Sequence, residues 1–424
     1  MSVIAAEAGT SQAGTSQASQ AEQSRPPVRT MLRQGLGHPL MSYYVVVAVG
    51  ALLLGLGLLI VISASSVRAA AIYGDPYHDG KRQIMFAVIG LIGAWLFSRF
   101  GQRFLQGLAW PALGLAIVLL IATMTPLGVS VSGNNNWLSF GPSWTQFQPS
   151  EFAKLALILW GAAELSRRGK HLVNLKSWTM FLVASFSIVG LVVLQQDLGS
   201  ALVIAGIVVI IMVAAGAPWR LLGAIFGVGV VGLVGLIVTQ PYRMSRIWAL
   251  FHPSADQQGI NLQAQRGLYA LASGGWFGQG LGASRQKWGL LAEAQTDYIF
   301  AILGEELGLV GTLTVIGLFA ALAWVGIRIA LRSTTSFTRL LAIGVVAWYS
   351  VQGFLNIAVA CRVFPTMGVT LPLISYGGSS LLANLLALGL LVGCARREPA
   401  AAAALAARGR RSRGRPRAIV RADA

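Results

Sequence analysis

Asp297 stands where a long polar segment, 240–297, runs into the apolar stretch TDYIFAILGEELGLVG. A carboxylate in that position can take a proton from a hydroxyl. It can also do no more than start a helix, with Thr296 or Asp297 accepting from unpaired N–H groups. Glu305 and Glu306 follow about two turns on, inside the apolar stretch, where an acid costs roughly 2.5–3.5 kcal/mol to insert and faces a polar cavity. Neighbouring residues point different ways on a helix, so at most one glutamate shares the face of Asp297, and the other is expected to pair with a base such as Lys154. A second cluster is QPSEFAK, Gln148 to Lys154. Glu151 and Lys154 are spaced i, i+3, which suits an intrahelical ion pair as well as a substrate contact. The run Gly274, Gly275, Gly278, Gly280 and Gly282, followed by Arg285 and Lys287, could bring backbone N–H groups against a phosphate. Glycines alone more often make turns, and no βαβ unit surrounds these, which excludes a dinucleotide fingerprint. PLISYGGSS, Pro372 to Ser380, is a Gly/Ser break ahead of an apolar run. It either lines a cavity at membrane depth or forms an ordinary turn.

The elements that must hold these residues are membrane helices. Of 424 residues, 55% are hydrophobic and 11% charged, and the mean hydropathy is +0.67. A soluble domain carries about 25% charged residues. Stretches near 42–64, 83–99, 105–125, 150–166, 177–195, 198–216, 219–239, 298–329, 338–361 and 379–395 approach the roughly 20 apolar residues of a span. The fold class is therefore all-α and polytopic, with about ten spans and a large loop between the seventh and eighth. The net charge of +18 is local, since nine arginines follow Gly393, so nucleic acid is not an expected partner. Most other loop Lys and Arg residues fall on the side of the termini, which makes both termini cytoplasmic and the 240–297 loop extracytoplasmic. Arg68, Lys81, Arg82 and Arg362 run against that count. Cys361 and Cys394 lie in or beside apolar runs and read as packed thiols, neither a disulfide framework nor a metal cluster. Residues 1–40, with an AGTSQ repeat and no apolar leader, and 396–424, rich in Ala and Arg, are expected to be disordered cytoplasmic tails around a membrane domain at 41–395.

QPSEFAK, QAQRGLYALASGGWFGQGLGASRQKW, AEAQTDYIFAILGEELGLVG and FPTMGVTLPLISYGGSS, in that order, resemble the SEDS family of FtsW, RodA and their sporulation homologue. The resemblance covers about 40–395, and GEELG and GVTLPLISYGGSS lean toward the division branch. It implies a peptidoglycan glycosyltransferase that polymerises lipid II at the outer face of the cytoplasmic membrane during septal synthesis. The family's essential aspartate falls on Asp297 and its QPSE-type motif on Gln148, Pro149, Ser150, Glu151 and Lys154. The chain departs from the family at Ala292, Gln295 and Tyr298, where Pro, His and Phe are usual. Asn134–Asn136 stand where an Arg precedes the Trp, and the QPD pattern reads Gln195, Gln196, Asp197.

On that resemblance Asp297 is the catalytic base. Arg243, Arg246 and Lys287 offset the charge of a departing pyrophosphate, and Glu151, Lys154, Ser375 and Ser379 complete the substrate contacts. No organic cofactor is expected. A divalent cation, Mg or Mn, would be held loosely by oxygen ligands. Partners would be a class B penicillin-binding protein and other division proteins. Three rival readings stay open at this level: a lipid II flippase, because acids and bases in a polar cavity serve either, an elongation-type polymerase, and a pure scaffold that recruits a transpeptidase.

Overall fold

The structure, a computed structural model, describes residues 38–131, 134–139, 141, 146–240, 244–246, 248, 262–289 and 291–413. Arg243 and the basic tail beyond Arg413 lie outside them. Among the described residues, ten helices occupy the ten expected stretches: α1 (Met41–Tyr73), α2 (His78–Arg99), α3 (Gln102–Ala122), α4 (Pro149–Arg168), α5 (Thr179–Leu194), α6 (Leu198–Ala214) and α7 (Trp219–Val238), then α9 (Ile299–Arg332), α10 (Ser336–Ala360) and α11 (Gly378–Arg396). Eight are long and apolar enough to cross a membrane, α5 being counted together with the 3₁₀ turn Leu175–Trp178 that leads into it. The other two are α6, apolar but only 17 residues long, and α4, which carries Glu151, Lys154 and Glu164 within its length.

Two pairings frame the bundle. α1 and α9 run antiparallel along their length: Ser63 bonds Glu306 at one end, and Met41 meets Arg328 at the other. α1 runs past its expected end because nothing breaks it before Gly74, whose left-handed φ of 69° closes it on Ala70. α2 and α11 run parallel, with Gly90 under Leu385 and Gly389 against the Ala94 backbone. Lipid gives apolar side chains no reason to leave it, so such close backbone approach supplies the packing.

Three elements were not legible in advance. Segment 126–150 folds back as a hairpin, β1 (Gly128–Val131) with β2 (Asn134–Leu138), antiparallel with Val129 opposite Trp137. Within the long loop, α8 (Leu262–Ser273) lays Gly267 against the Tyr298 ring. The expected disordered tail instead begins as α12 (Pro399–Arg413), because a run of alanines after a proline is a strong helix former.

α9 is broken at Gly308, which has φ 70° and ψ −164°. The glycine run of the preceding loop repairs the break. Gln279 N–H donates to Glu305 O (2.9 Å) and Gly280 N–H to Glu306 O (3.1 Å), while Leu309 N–H donates to Gly275 O (2.9 Å) and Val310 N–H to Trp276 O (3.2 Å). Of the two readings of that run, the turn is the one observed: the amides at 279 and 280 are committed to protein carbonyls, not to a phosphate. A β-carbon at 308 would collide with the backbone of Trp276 and Gly278, in a backbone region that only glycine occupies without strain. Gly308→Ala should therefore lower stability by about 1–3 kcal/mol before any clash is counted. Thermal melting of the detergent-purified protein should show the drop, together with faster proteolysis of the 274–280 loop.

Candidate active site

Asp297 directly precedes Tyr298, the N-cap of α9, and no side chain caps that end. The helix-start reading of Thr296 and Asp297 is thus not realised: the Thr296 hydroxyl turns back to Glu293, donating to its carbonyl (3.2 Å) and carboxylate (3.0 Å). The Asp297 carboxylate faces the Gly368 turn, where an added β-carbon would stand 3.8 Å from Oδ2. Among the described residues none donates a hydrogen bond to it. Loss of water pushes its pKa up to about 7, the like charges of Glu293 and Asp197 adding to the rise and Arg246 opposing it.

The segment that carries Asp297 is held by the Gly/Ser break. Tyr376 N–H donates to Gln295 O (2.8 Å), and the Ser375 hydroxyl donates to Thr296 O (2.6 Å) while accepting from Leu371 N–H (2.7 Å). Ser375, expected at the substrate, thus has its donor and an accepting lone pair taken up in positioning. Ser379 is buried with its hydroxyl unpartnered among the described residues and keeps the capacity to bind a ligand. Backbone strain gathers around the same place: Gln196 (φ 66°), Glu293 (φ 53°) and Leu373 (φ 64°) are non-glycine residues in the left-handed region.

Asp197, which the sequence offers only as the end of the QPD-like pattern, is a second node. Its Oδ2 accepts from Asn136 Nδ2 (2.9 Å) and Gln148 Nε2 (2.9 Å), and its Oδ1 accepts from Ser200 N–H (2.9 Å), capping α6. One carboxylate thereby joins the hairpin, the start of α4 and the α5–α6 turn. The departure at Asn136 is the available signal: an amide stands there and donates to an acid sixty-one residues along the chain.

Lys154 is fully enclosed. Its Nζ donates to Glu151 Oε1 (2.8 Å) and Gln352 Oε1 (2.7 Å), with the Trp348 ring 5.2 Å away. The i, i+3 pair is real, and the expected pairing of Lys154 with Glu305 or Glu306 is not. Those two point apart as expected but find other partners. Glu305 accepts from the Ser284 hydroxyl (2.5 Å) and Arg285 N–H (3.0 Å). Glu306 accepts from Ser63 (2.5 Å) and faces Lys287 (3.9 Å). Lys287 also donates to Gly282 O (2.6 Å), so it is committed about 13 Å along α9 from Asp297 and does not serve a phosphate there. Arg246 does lie beside Asp297, with Nη1 donating to Thr366 O (2.7 Å), and Thr366 in turn bonds the Tyr298 hydroxyl (2.8 Å). The site therefore unites Asp297, Arg246, Asp197 and Glu293, with Glu151 and Lys154 buried beneath.

No group of three or more His, Cys, Asp or Glu side chains suited to a metal occurs among the described residues. Removing one member of the enclosed pair strands the other charge, which typically costs about 3–5 kcal/mol. Lys154→Met should thus lower the melting temperature sharply, and Glu151→Gln added to it should recover part of the loss; a thermal-shift series on the two singles and the double checks this.

Residues 43–399 match the model of a cell cycle protein family that groups FtsW, RodA and SpoVE. The chain is 38% identical over 381 residues to the probable peptidoglycan glycosyltransferase FtsW of Mycobacterium tuberculosis, covering 89% of this chain and 72% of that one. It is 38% identical over 349 residues to stage V sporulation protein E of Bacillus subtilis, covering 81% and 94%. Its fold is similar to a chain from a solved structure concerned with polymerization and crosslinking by a peptidoglycan synthase complex, with TM-score 0.67, 30% identity, and 84% and 97% of the two chains covered.

Proposed function

The chain belongs to the FtsW, RodA and SpoVE family of cell cycle proteins, and from that premise we propose that it polymerises lipid II into glycan strands, with Asp297 as the base. It is a multi-pass membrane protein and a peptidoglycan glycosyltransferase. The observation that carries the assignment of the base is the state of Asp297. Its carboxylate faces the Gly368 turn with no hydrogen-bond donor among the described residues, and its pKa stands near neutrality, where a general base works best.

The acceptor sugar hydroxyl gives its proton to an Asp297 oxygen as its own oxygen bonds the donor's anomeric carbon. The bond from that carbon to the pyrophosphate breaks, and the electron pair leaves with the lipid pyrophosphate. Arg246, close enough to act on Asp297, supplies positive charge for the leaving group. Lys287 is replaced in that role for the reason given above. The exposed Glu293, whose charge acts on Asp297, and the Asp297 oxygens, unpartnered among the described residues, are the hard-oxygen groups that would hold a loose Mg or Mn. Such an ion would neutralise pyrophosphate charge when bound. Asp197 fits less well as a ligand, since both its oxygens already accept bonds. An apolar cavity of about 420 Å³, lined by Leu271, Trp276, Phe300, Leu309 and Leu313, offers room for part of a polyprenyl chain.

The loops that build the site face outward and both termini inward, in keeping with the distribution of short-loop arginines. Similarity to proteins named FtsW and stage V sporulation protein E supports a place in septal synthesis. The synthase complex among its structural relatives supports a crosslinking partner of the class B penicillin-binding type, with further division proteins around the pair.

Asp297→Asn keeps the size and removes the base, so the rate of lipid II polymerisation should fall about 10²–10⁴-fold with the melting temperature unchanged. A variant that retained more than about a tenth of the wild-type rate would overturn the assignment. Lipid II translocation without polymer, measured in vesicles, would favour a flippase instead. The pH profile follows from the raised pKa. The base is competent only when ionised, so kcat should rise as pH increases through about 7 and level off above it. A bound cation would favour the ionised form and move the midpoint down.

A further inference from the structure

The strongest unassigned feature beside the site is the side chain of Asn356, a buried amide near the C-terminal end of α10. Its Nδ2 donates both hydrogens across elements, one to the backbone carbonyl of Asp297 (2.9 Å) and one to that of Val369 (2.7 Å). The opposite amide orientation would set Oδ1 against two carbonyl oxygens, so the hydrogen-bond pattern fixes which end is nitrogen. Oδ1 has no partner among the described residues. Asn356 therefore works through its two donors.

Three consecutive carbonyls, of Gln295, Thr296 and Asp297, accept from three separate donors: Tyr376 N–H, Ser375 Oγ and Asn356 Nδ2. The Asp297 N–H is held as well, by Glu293 O at 3.2 Å. The peptide planes on both sides of Asp297 are thus fixed, and with them the direction in which its side chain leaves the backbone. The second Asn356 bond fixes Val369, the neighbour of Gly368, which faces the Asp297 carboxylate. One turn earlier on α10, Gln352 holds the next residue of that segment in the same way, through Thr370 O (3.0 Å).

We propose that Asn356 is a positioning residue for the transfer reaction: by tying the Asp297 and Val369 carbonyls to one rigid amide, it sets the aspartate and the turn it faces in a fixed relation. The proposal rests on Asp297 being the base. Misplacing a reacting group by about 1 Å can cost about 10²-fold in rate without weakening binding elsewhere.

The test is Asn356→Leu, close in shape and lacking both donors. Because Oδ1 has no partner among the described residues, the exchange removes the two donated bonds and no other bond among them. The purified full-length variant should polymerise lipid II with kcat reduced at least about tenfold and KM changed less than about threefold. In the Asp297→Asn background, the leucine should lower the residual rate no further, since there is no base left to aim. A packing role would lower the melting temperature and yield while leaving kcat per folded molecule intact in the wild-type background. If the leucine variant does not fold, Asn356→Ala removes the donors without adding bulk and carries the same expectation. An Asn356 variant at the wild-type kcat, with Asp297→Asn inactive, overturns the positioning role alone. An active Asp297→Asn overturns the base and the positioning role together.

Discussion

A carboxylate inside an apolar slab has to be met by a donor, and most of the internal architecture exists to meet these. Burying an ionised group without a partner is far more costly than leaving it in water. Glu151 meets Lys154, Glu164 meets Arg168, and Glu305 meets Ser284 and the Arg285 amide. Glu306 lies between Ser63 and Lys287, and Asp197 gathers two side-chain amides and a helix N–H. Each of these bonds joins two elements or closes one helical turn, so satisfying the acids also assembles the bundle. Asp297 departs from the pattern, and the chemistry is assigned to that departure.

The departure is built by spending hydrogen bonds on the backbone around Asp297 instead of on its side chain. Carbonyls on either side are engaged from α10 and from the Gly/Ser break, while the carboxylate looks at a glycine that offers no side chain. The backbone is fixed and the functional oxygens are left to a ligand. This is the arrangement that preorganised catalysis requires: little rearrangement remains when substrate arrives.

How far the sequence reached depended on the physical range of each signal. Span positions come from local apolar length, and all ten stretches were occupied by helices. Asp297 stood out because an acid at an apolar boundary is anomalous on composition alone. Lys287 did not read correctly, because a basic residue in a glycine-rich loop looks the same whether it faces a phosphate or a glutamate from a helix still to come. The hairpin at Gly128–Leu138 and the short α8 carried no apolar run long enough to register. Asn356 and Gln352 were silent for a related reason: polar residues within a span announce that a partner exists without naming it.

The break in α9 bears on how the chain is made. The loop amides that complete it are those of Gln279 and Gly280, which precede α9 in the sequence and leave the ribosome first. Until Glu305 and Glu306 have entered the bilayer, those amides have no carbonyls to meet, and Ser284 has no carboxylate. The long loop consequently cannot take its final shape before α9 exists, and it folds onto α9 only once that helix is in place. Assembly of the site is thereby ordered in time: the bundle supplies the template, and the loop is the last part to set.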